Sequence, residues 1–231
     1  MVDSGSGDDT VRIISEFENA RIVTRPFDNH AAQWNFGLSI CSGRDWVLAL
    51  DADYKVSSSL SEEIGRLDPP EGIVGFRVSF RYLVLGRPLS GSLYPPVVAL
   101  FRRDRARYAQ IGHTQRLVID GSIADLRNRI DHDDRKPLSR WFVSQRIYAQ
   151  LEADHILSRK ASNIRFVDRI RLAAWPAPPL VLLYTLFIKG CILDGWPGWL
   201  YVLQRTVTEA MIAMEIVDRR MRDKMKMTIS D

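Results

Sequence analysis

The chain has 231 residues, of which 46% are hydrophobic, so it can bury a sizeable core and is not expected to be disordered. Its 32 basic and 28 acidic residues leave a net charge of +4, too mild to indicate a nucleic-acid partner. Two lone cysteines, Cys41 and Cys191, lack metal-site spacing and a disulfide framework, which favours free thiols in a cytoplasmic protein. We expect no signal peptide, because acidic and glycine-rich sequence follows Met1 at once.

The first part of the chain alternates predicted helices and strands. A helix is predicted over residues 10–20, a strand over 20–24, a helix over 29–41 and a strand over 46–50. This order is typical of an α/β fold in which helices flank a mostly parallel sheet. We therefore expect residues 1–160 to form one α/β domain.

Two carboxylates, Asp51 and Asp53, follow the predicted strand 46–50. Side chains alternate faces along a strand, so aspartates two positions apart can reach the same site. Carboxylate oxygens suit Mg²⁺ or Mn²⁺, which often bind a substrate diphosphate as well, and ligands commonly lie where strands of an open α/β sheet end. The stretch predicts a divalent metal site, and a solvated turn is the alternative interpretation.

The middle of the chain continues the mixture of helices and strands. We predict helices over 57–67 and 138–159, strands over 75–85, 97–102 and 117–120, and a loop over 108–116.

The last part of the chain, residues 161–231, is predicted to be a hydrophobic and amphipathic helical region. Its apolar run over 180–188 is shorter than the about 20 residues that a bilayer span needs. Prolines before the run, Lys189 beside it and tryptophans after it suit a segment lying in a membrane interface. A packed hairpin of two core helices is the alternative. An amphipathic helix is predicted over 207–221.

Three segments, residues 2–10, 25–37 and 43–53, together resemble the family 2 nucleotide-sugar glycosyltransferases. Within that family the chain looks most like the bacterial lipopolysaccharide-core and cell-surface polysaccharide type, with further similarity over 132–141 and 193–196. The resemblance implies a GT-A-like fold. It also implies transfer of a sugar, with inversion, from a nucleotide-sugar donor such as a UDP-sugar to a glycolipid or polysaccharide acceptor. The implied place is the cytoplasmic face of the inner membrane, peripheral or shallowly inserted.

Family members carry a first strand and helix before the segment that matches residues 2–10, so we expect a truncated beginning and weakened nucleotide binding. A catalytically impaired scaffold protein of the same fold is one alternative function. A metal-dependent sugar nucleotidyltransferase is another, but it should show a glycine-rich, arginine-containing phosphate loop near its start, and none is visible here.

The resemblance also implies roles for particular residues. Asp53 is expected to bind Mg²⁺ or Mn²⁺ together with Asp51, and His132 is a possible further metal ligand. The residues expected to contact the donor are Asp3, Ser4, Gln33, Asn35, Asp51 and Arg135. Gln33 and Asn35 could instead fix the neighbouring loop, and Asp3 could be a frayed terminal carboxylate.

The expected catalytic base takes the proton of the acceptor hydroxyl. Many relatives place a carboxylate where this chain has Thr114, which cannot serve as that base. Of the acids around His132, we favour Asp133 or Asp134 for this role. A capped helix start before Pro137 is the alternative interpretation of these acids.

Overall fold

The computed structural model describes residues 1–111, 114–133, 135–159 and 165–230. They form two compact units whose segments interleave along the chain. The first unit comprises Met1–Ala49, Asp68–Arg77 and Val98–Asp125, and the second comprises Leu50–Leu67, Val78–Val97 and Leu126–Asp231. The predicted division into residues 1–160 and 161–231 is not tested by these units and stays a prediction.

The first unit contains two helices and most of the short strands. Its elements in chain order are β1 (Val2–Asp3), α1 (Thr10–Ser15), β2 (Val23–Thr24), α2 (His30–Ile40), β3 (Trp46–Leu48), β5 (Ile73–Val78), β8 (Val97–Arg102), β9 (Ala106–Ile111), β10 (Thr114–Ile119) and β11 (Ser122–Asp125). Helix α2 begins where the Asn29 side chain accepts a hydrogen bond from the backbone N–H of Ala32 at 2.8 Å.

A four-stranded sheet of order β11-β5-β8-β3 forms the largest sheet of the first unit. Strand β11 runs parallel to β5, whereas β3 runs antiparallel to β8. Strands β9 and β10 form an antiparallel pair, and β1 pairs in parallel with β2. The core beneath α2 contains Ala31, Leu38, Phe101 and Tyr108. Burial of these apolar side chains holds the helix to the strands.

The second unit combines a four-stranded sheet with most of the helices. Its elements are β4 (Tyr54–Val56), α3 (Ser58–Gly65), β6 (Phe80–Val84), β7 (Arg87–Pro88), β12 (Ile130–Asp133), α4 (Leu138–Leu157), α5 (Phe166–Leu172), α6 (Ala177–Leu183), a π-helical turn (Tyr184–Ile188), a 3₁₀ turn (Cys191–Asp194) and α7 (Gly195–Ser230). The strand order is β4-β12-β6-β7, with β12 antiparallel to β4 and parallel to β6.

Two apolar clusters hold the helices of the second unit in place. Ala149, Ala153 and Ile156 of α4 pack against Ile212 and Ile216 of α7. The second cluster joins the sheet to the α6–α7 region through Val84, Leu89, Leu186, Cys191, Tyr201 and Val202. A glycine is required near the start of α7, because a Cβ atom at Gly198 would lie 2.0 Å from the carbonyl oxygen of Cys191.

The structure confirms an α/β fold but corrects the expectation of a mostly parallel sheet, because both four-stranded sheets are mixed. A parallel pair needs a crossover of a dozen or more residues, and several connections here are too short for one. Strands β6 and β7, for example, are joined by a turn at Leu85 and Gly86, both with positive φ, and are therefore antiparallel.

The loop predicted over 108–116 is also wrong where it can be checked, because β9 and β10 occupy most of it. Neither strand alternates polar and apolar side chains regularly, so periodicity gave no signal for this pair. Gly112 and His113 lie outside the described residues.

Among the described residues, no single helix is long and apolar enough to cross a membrane. Residues Ala177–Ile188 and Cys191–Lys226 pass the length and composition test only as a pair, and they are bent by 71° at the break between them.

Candidate functional site

Strand pairing in the second unit brings His132 beside the predicted metal-binding aspartates. His132 on β12 is paired in register with Tyr54 on β4, and Asp53 comes directly before Tyr54. The backbone N–H of Asp133 donates to the carbonyl of Asp53 at 3.2 Å, which extends the pairing by one residue. Asp53 and His132 are therefore neighbours, although 79 positions separate them in the sequence.

The carboxylate of Asp53 is held by two nitrogen groups. Its Oδ2 atom lies 3.3 Å from Nε2 of His132 and 3.8 Å from Nζ of Lys136. Burial would raise the pKa of Asp53, but the hydrogen bond from His132 and the electrostatic attraction of His132 and Lys136 outweigh burial and lower it. The side chain is 29% exposed. Asp53 is thus an ionised carboxylate that solvent can reach.

Aromatic rings surround the imidazole of His132. The ring centroids of Tyr94, Tyr82 and Tyr54 lie 4.5, 4.8 and 5.2 Å from that of His132. The hydroxyl groups of Tyr54 and Tyr94 share a hydrogen bond. Nδ1 of His132 is buried and has no hydrogen-bond partner among the residues that the structure describes. We call His132 and these three tyrosines the histidine cluster.

Burial keeps two phenols of the histidine cluster, those of Tyr54 and Tyr94, protonated. It raises the pKa of Tyr94 to about 12, and it also raises the pKa of Tyr54. The carboxylate of Asp51 contributes to both shifts through its negative charge. Asp51 is brought close by a turn in which the backbone N–H of Tyr54 donates to its carbonyl at 3.1 Å. Both predicted metal-binding aspartates therefore lie at the start of β4.

Asp133, one of the two predicted bases, has both carboxylate oxygens occupied. Oδ1 accepts from the backbone N–H of Gly86 at 3.0 Å, and Oδ2 accepts from Nε of Arg135 at 2.8 Å and Nζ of Lys55 at 3.1 Å. Burial would raise the pKa of Asp133, but these bonds outweigh it and the pKa is lowered. A low pKa and a full set of partners make proton acceptance unfavourable, and they favour a positioning role. The other predicted base, Asp134, lies outside the described residues.

A three-ligand metal centre is not found in the part of the chain that the structure describes, counting His, Cys, Asp and Glu side chains. Mg²⁺ is commonly held by one or two carboxylates, with substrate phosphates and water completing its coordination. The exposed, ionised carboxylate of Asp53 fits that kind of site. His132 directs Nε2 to Asp53, so it acts on the carboxylate, and its predicted role as a direct metal ligand stays a prediction.

In the first unit, the predicted donor-binding residues form hydrogen bonds with one another and with the backbone. The buried Asp3 carboxylate accepts from the backbone N–H of Gly5 at 2.9 Å, and from both the backbone N–H and the hydroxyl of Ser6. The Ser6 hydroxyl, the strongest contributor, and these N–H groups lower the pKa of Asp3. The carboxylate thus holds the turn that follows β1, and it is not a frayed end.

Gln33 and Asn35 lie on α2 and have different partners. Gln33 donates to Oγ of Ser4 at 3.0 Å and accepts from Arg25 at 2.8 Å. Asn35 exchanges two hydrogen bonds with the backbone of Tyr108, at 2.8 and 2.9 Å. The structure therefore gives Asn35 the role of fixing α2 to β9, while Gln33 orients Ser4. Donor contacts by these residues stay predictions.

Tyr82 and Tyr94 were not predicted as neighbours of the metal site. Tyr82 pairs in register with His132 across β6 and β12, so correct strand pairing would have found it. Tyr94 lies between β7 and β8 in a stretch without periodicity, and no signal in the sequence points to it.

Comparison with known proteins adds an independent observation. The model of the family described as glycosyl transferase family 2 matches residues 1–116. Over 64 residues the chain is 42% identical to uncharacterized glycosyltransferases of Rickettsia conorii and Rickettsia bellii, and 39% identical to one of Rickettsia felis. The matched stretch is 28% of this chain and 21 to 22% of each relative, so the chain spans about a fifth of the length of the curated relatives it matches.

Proposed function

Because the chain belongs to glycosyl transferase family 2, we propose that it transfers a sugar, with inversion, from a UDP-sugar to a glycolipid or polysaccharide acceptor of the cell envelope. Family membership supports a nucleotide-sugar donor and an acceptor in general. The choice of a uridine nucleotide, the envelope acceptor and the dependence on a divalent metal are parts of the proposal.

The observation that carries this proposal is that the carboxylate of Asp53 is ionised and partly exposed. His132 and Lys136 keep its carboxylate ionised, and its side chain stays partly exposed. Asp51 adds a second carboxylate within the same turn. Two such carboxylates suit Mg²⁺ or Mn²⁺, which when bound offsets the negative charge that develops on a departing nucleoside diphosphate. In this assignment His132 is a positioning residue, because it orients the carboxylate that binds the metal.

Arg135 supplies a further positive charge beside this site. Its Nε donates to Asp133, and its side chain is well exposed. A guanidinium held in this way is suited to a bidentate contact with a donor phosphate. Asp133 then positions Arg135, and Asp134 remains the predicted base for the acceptor hydroxyl.

The decisive experiment is calorimetric titration of the whole chain with UDP, with and without Mn²⁺. We expect UDP binding to require Mn²⁺. Asp53→Asn should weaken this binding by at least about tenfold, because it removes one charge-assisted contact to the metal. Asp104→Asn is the matched control, because Asp104 is an exposed aspartate of the first unit. It should leave the affinity unchanged.

Equal Mn²⁺-dependent affinity in Asp53→Asn and in the unchanged chain would overturn the metal assignment. If UDP does not bind under any condition, titration with GDP separates the remaining cases. Binding of GDP would identify another donor nucleotide, and no binding of either would favour the scaffold protein.

A further inference from the structure

Residues 175–203 form a helical hairpin in the second unit, which we call the interfacial hairpin. It comprises α6, the π-helical turn, the 3₁₀ turn and the first residues of α7. Large apolar side chains point away from the rest of the unit along its length. The exposed fractions of Ile188, Leu193 and Trp196 are 72, 84 and 86%. Soluble monomers rarely leave a continuous run of such side chains in water.

The inner side of the interfacial hairpin is firmly packed, so the exposed residues belong to a separate outer side. Leu186, Cys191, Tyr201 and Val202 are buried against the sheet. The hydroxyl of Tyr201 accepts a hydrogen bond from the backbone N–H of Leu93 at 2.7 Å. The hairpin is therefore a fixed part of the second unit, and its outer side is presented in a defined orientation.

Charge is almost absent from the interfacial hairpin. Lys189 and Asp194 are the only charged residues between Ala173 and Gln204. Asp194 accepts hydrogen bonds from the backbone N–H and the hydroxyl of Ser90. Nζ of Lys189 lies 5.6 Å from the ring centroid of Tyr184, within range of a cation–π contact. Both charges are thus held by groups of the protein, and the outer side is dominated by apolar atoms.

Basic residues flank the interfacial hairpin on both sides in the sequence. Arg165 and Arg169, in the α5 region before it, are exposed, and Arg165 also donates to Asp168; Arg205 follows the hairpin and its Nε atom is buried. Such an arrangement complements a surface that is apolar inside and negatively charged outside, which is the character of a bilayer with anionic headgroups. Tryptophans at both ends, Trp175 and Trp196, are typical of a segment at the boundary between headgroups and acyl chains.

The bend within the interfacial hairpin favours a shallow position in the bilayer. The two arms are bent by 71° at Lys189 and Gly190, and neither arm alone is long and apolar enough to span a bilayer. A bent, apolar wedge suits the interfacial layer, where helices bury one side among headgroups and upper acyl chains.

We propose that the interfacial hairpin docks the protein on a lipid bilayer, with Ile188, Leu193 and Trp196 inserted below the headgroups. This inference goes beyond the proposed sugar transfer and does not depend on it. The occupant of the outer side is lipid, and no second protein chain is needed to cover it.

Vesicle sedimentation tests the proposal with the whole chain. We expect binding to vesicles of phosphatidylethanolamine and phosphatidylglycerol, with weaker binding to vesicles of phosphatidylcholine alone, because the flanking arginines favour anionic lipid. Leu193→Asp should weaken the binding by at least about tenfold, since it removes one inserted leucine and adds a charge. The matched control is Phe17→Asp, which changes a side chain that is 58% exposed in the first unit. It should leave vesicle binding unchanged.

Brominated lipids give a second readout that folding defects do not imitate. Bromine on the acyl chains should quench tryptophan fluorescence of the unchanged chain, and Trp196→Phe should remove much of that quenching. Trp34→Phe, in the first unit, should not. Circular dichroism of each variant establishes that it is folded.

Three results would overturn the proposal. They are the absence of vesicle binding, binding that Leu193→Asp leaves unchanged, and a dimer without vesicle binding that Leu193→Asp converts to monomer. In the last case a second copy of the chain covers the hairpin. UDP titration without vesicles is measured separately, so failure of the proposed sugar transfer and failure of membrane docking give different results.

Discussion

Two groups of buried polar side chains in the second unit differ in whether their buried polar atoms have partners. Between α4, α5 and α7, Arg171 lies 3.0 Å from a carboxylate oxygen of Glu152 and 2.9 Å from one of Glu209. In the histidine cluster, Nε2 of His132 lies beside the carboxylate of Asp53, and its buried Nδ1 has no hydrogen-bond partner within the described part of the chain. Buried polar atoms without partners are uncommon and call for an explanation. The ion-pair group holds helices together, and the open Nδ1 atom supports the proposal that the histidine cluster lies beside a ligand site.

The largest expected effect comes from breaking the ion-pair group. Arg171→Ala leaves Glu152 and Glu209 buried without their common partner, which should lower the free energy of unfolding by about 3–5 kcal/mol. Chemical denaturation measures the change. The control is Arg66→Ala, which removes an exposed pair with Glu62 and should cost less than about 1 kcal/mol. Similar losses in the two variants would show that the buried group is not a structural connection.

A second prediction separates the two aspartates on the neighbouring strands. Asp133→Ala removes the acceptor for Gly86, Arg135 and Lys55, and should lower the free energy of unfolding by about 2 kcal/mol. Asp53→Asn should change stability much less, because Asp53 is partly exposed and Asn keeps an acceptor oxygen for His132. Denaturation curves compare the two variants. Equal destabilisation would remove the distinction between a structural aspartate and a metal-binding one.

The same carboxylate gives a pH dependence. The pKa of Asp133 is lowered from its ordinary value of 3.8, so its contribution to stability is present above pH 3.8 and is lost as the pH falls through the lower folded value. As the pH falls into the acidic range, the free energy of unfolding should therefore decrease less in Asp133→Ala than in the unchanged chain. Chemical denaturation at a series of acidic pH values measures this difference.

The smallest expected effect lies at alkaline pH. Burial raises the pKa of Tyr94 from 10.0 to about 12, so the unfolded chain loses the phenol proton first, and stability declines from pH 10 up to about pH 12. Tyr94→Phe should reduce this decline, and part of it should remain because the pKa of Tyr54 is raised as well. Denaturation midpoints across this pH range provide the measurement. If Tyr94→Phe loses stability at alkaline pH as much as the unchanged chain does, Tyr94 is not buried in the histidine cluster as described.

Local features of the fold were predictable from the sequence, and pairing between distant segments was not. Helix α2 and strand β8 were predicted almost to their ends, since a side-chain cap or a dense apolar run marks them. The helix predicted over 10–20 ends at Ser15 in the structure. The prediction ran too far because no glycine or proline marks the turn that follows. The mixed strand directions depend on which strands meet, and periodicity carries no information about that.

The candidate site was likewise predictable where the signal is local in the sequence and not where it depends on strand pairing. The adjacent aspartates Asp51 and Asp53 stood out because acids directly after an apolar strand are conspicuous. The contact between Asp53 and His132 depends on the register of β12 against β4, which only the folded chain supplies. Asp133 looked like a base because its neighbours in space, Lys55 and the backbone of Gly86, are far from it in sequence.

One connection in the second unit has a mechanical consequence. The segment from Ser90 to Tyr94 is tied at one end to Asp194 and near the other to Tyr201, and Tyr94 then lies against His132. The ring centroid of Tyr201 also lies 5.0 Å from that of Tyr82, another member of the histidine cluster. Residues 90–94 therefore connect the start of α7 to the histidine cluster. We therefore expect a shift at the start of α7 to change the position of Tyr94 and of the imidazole that it contacts.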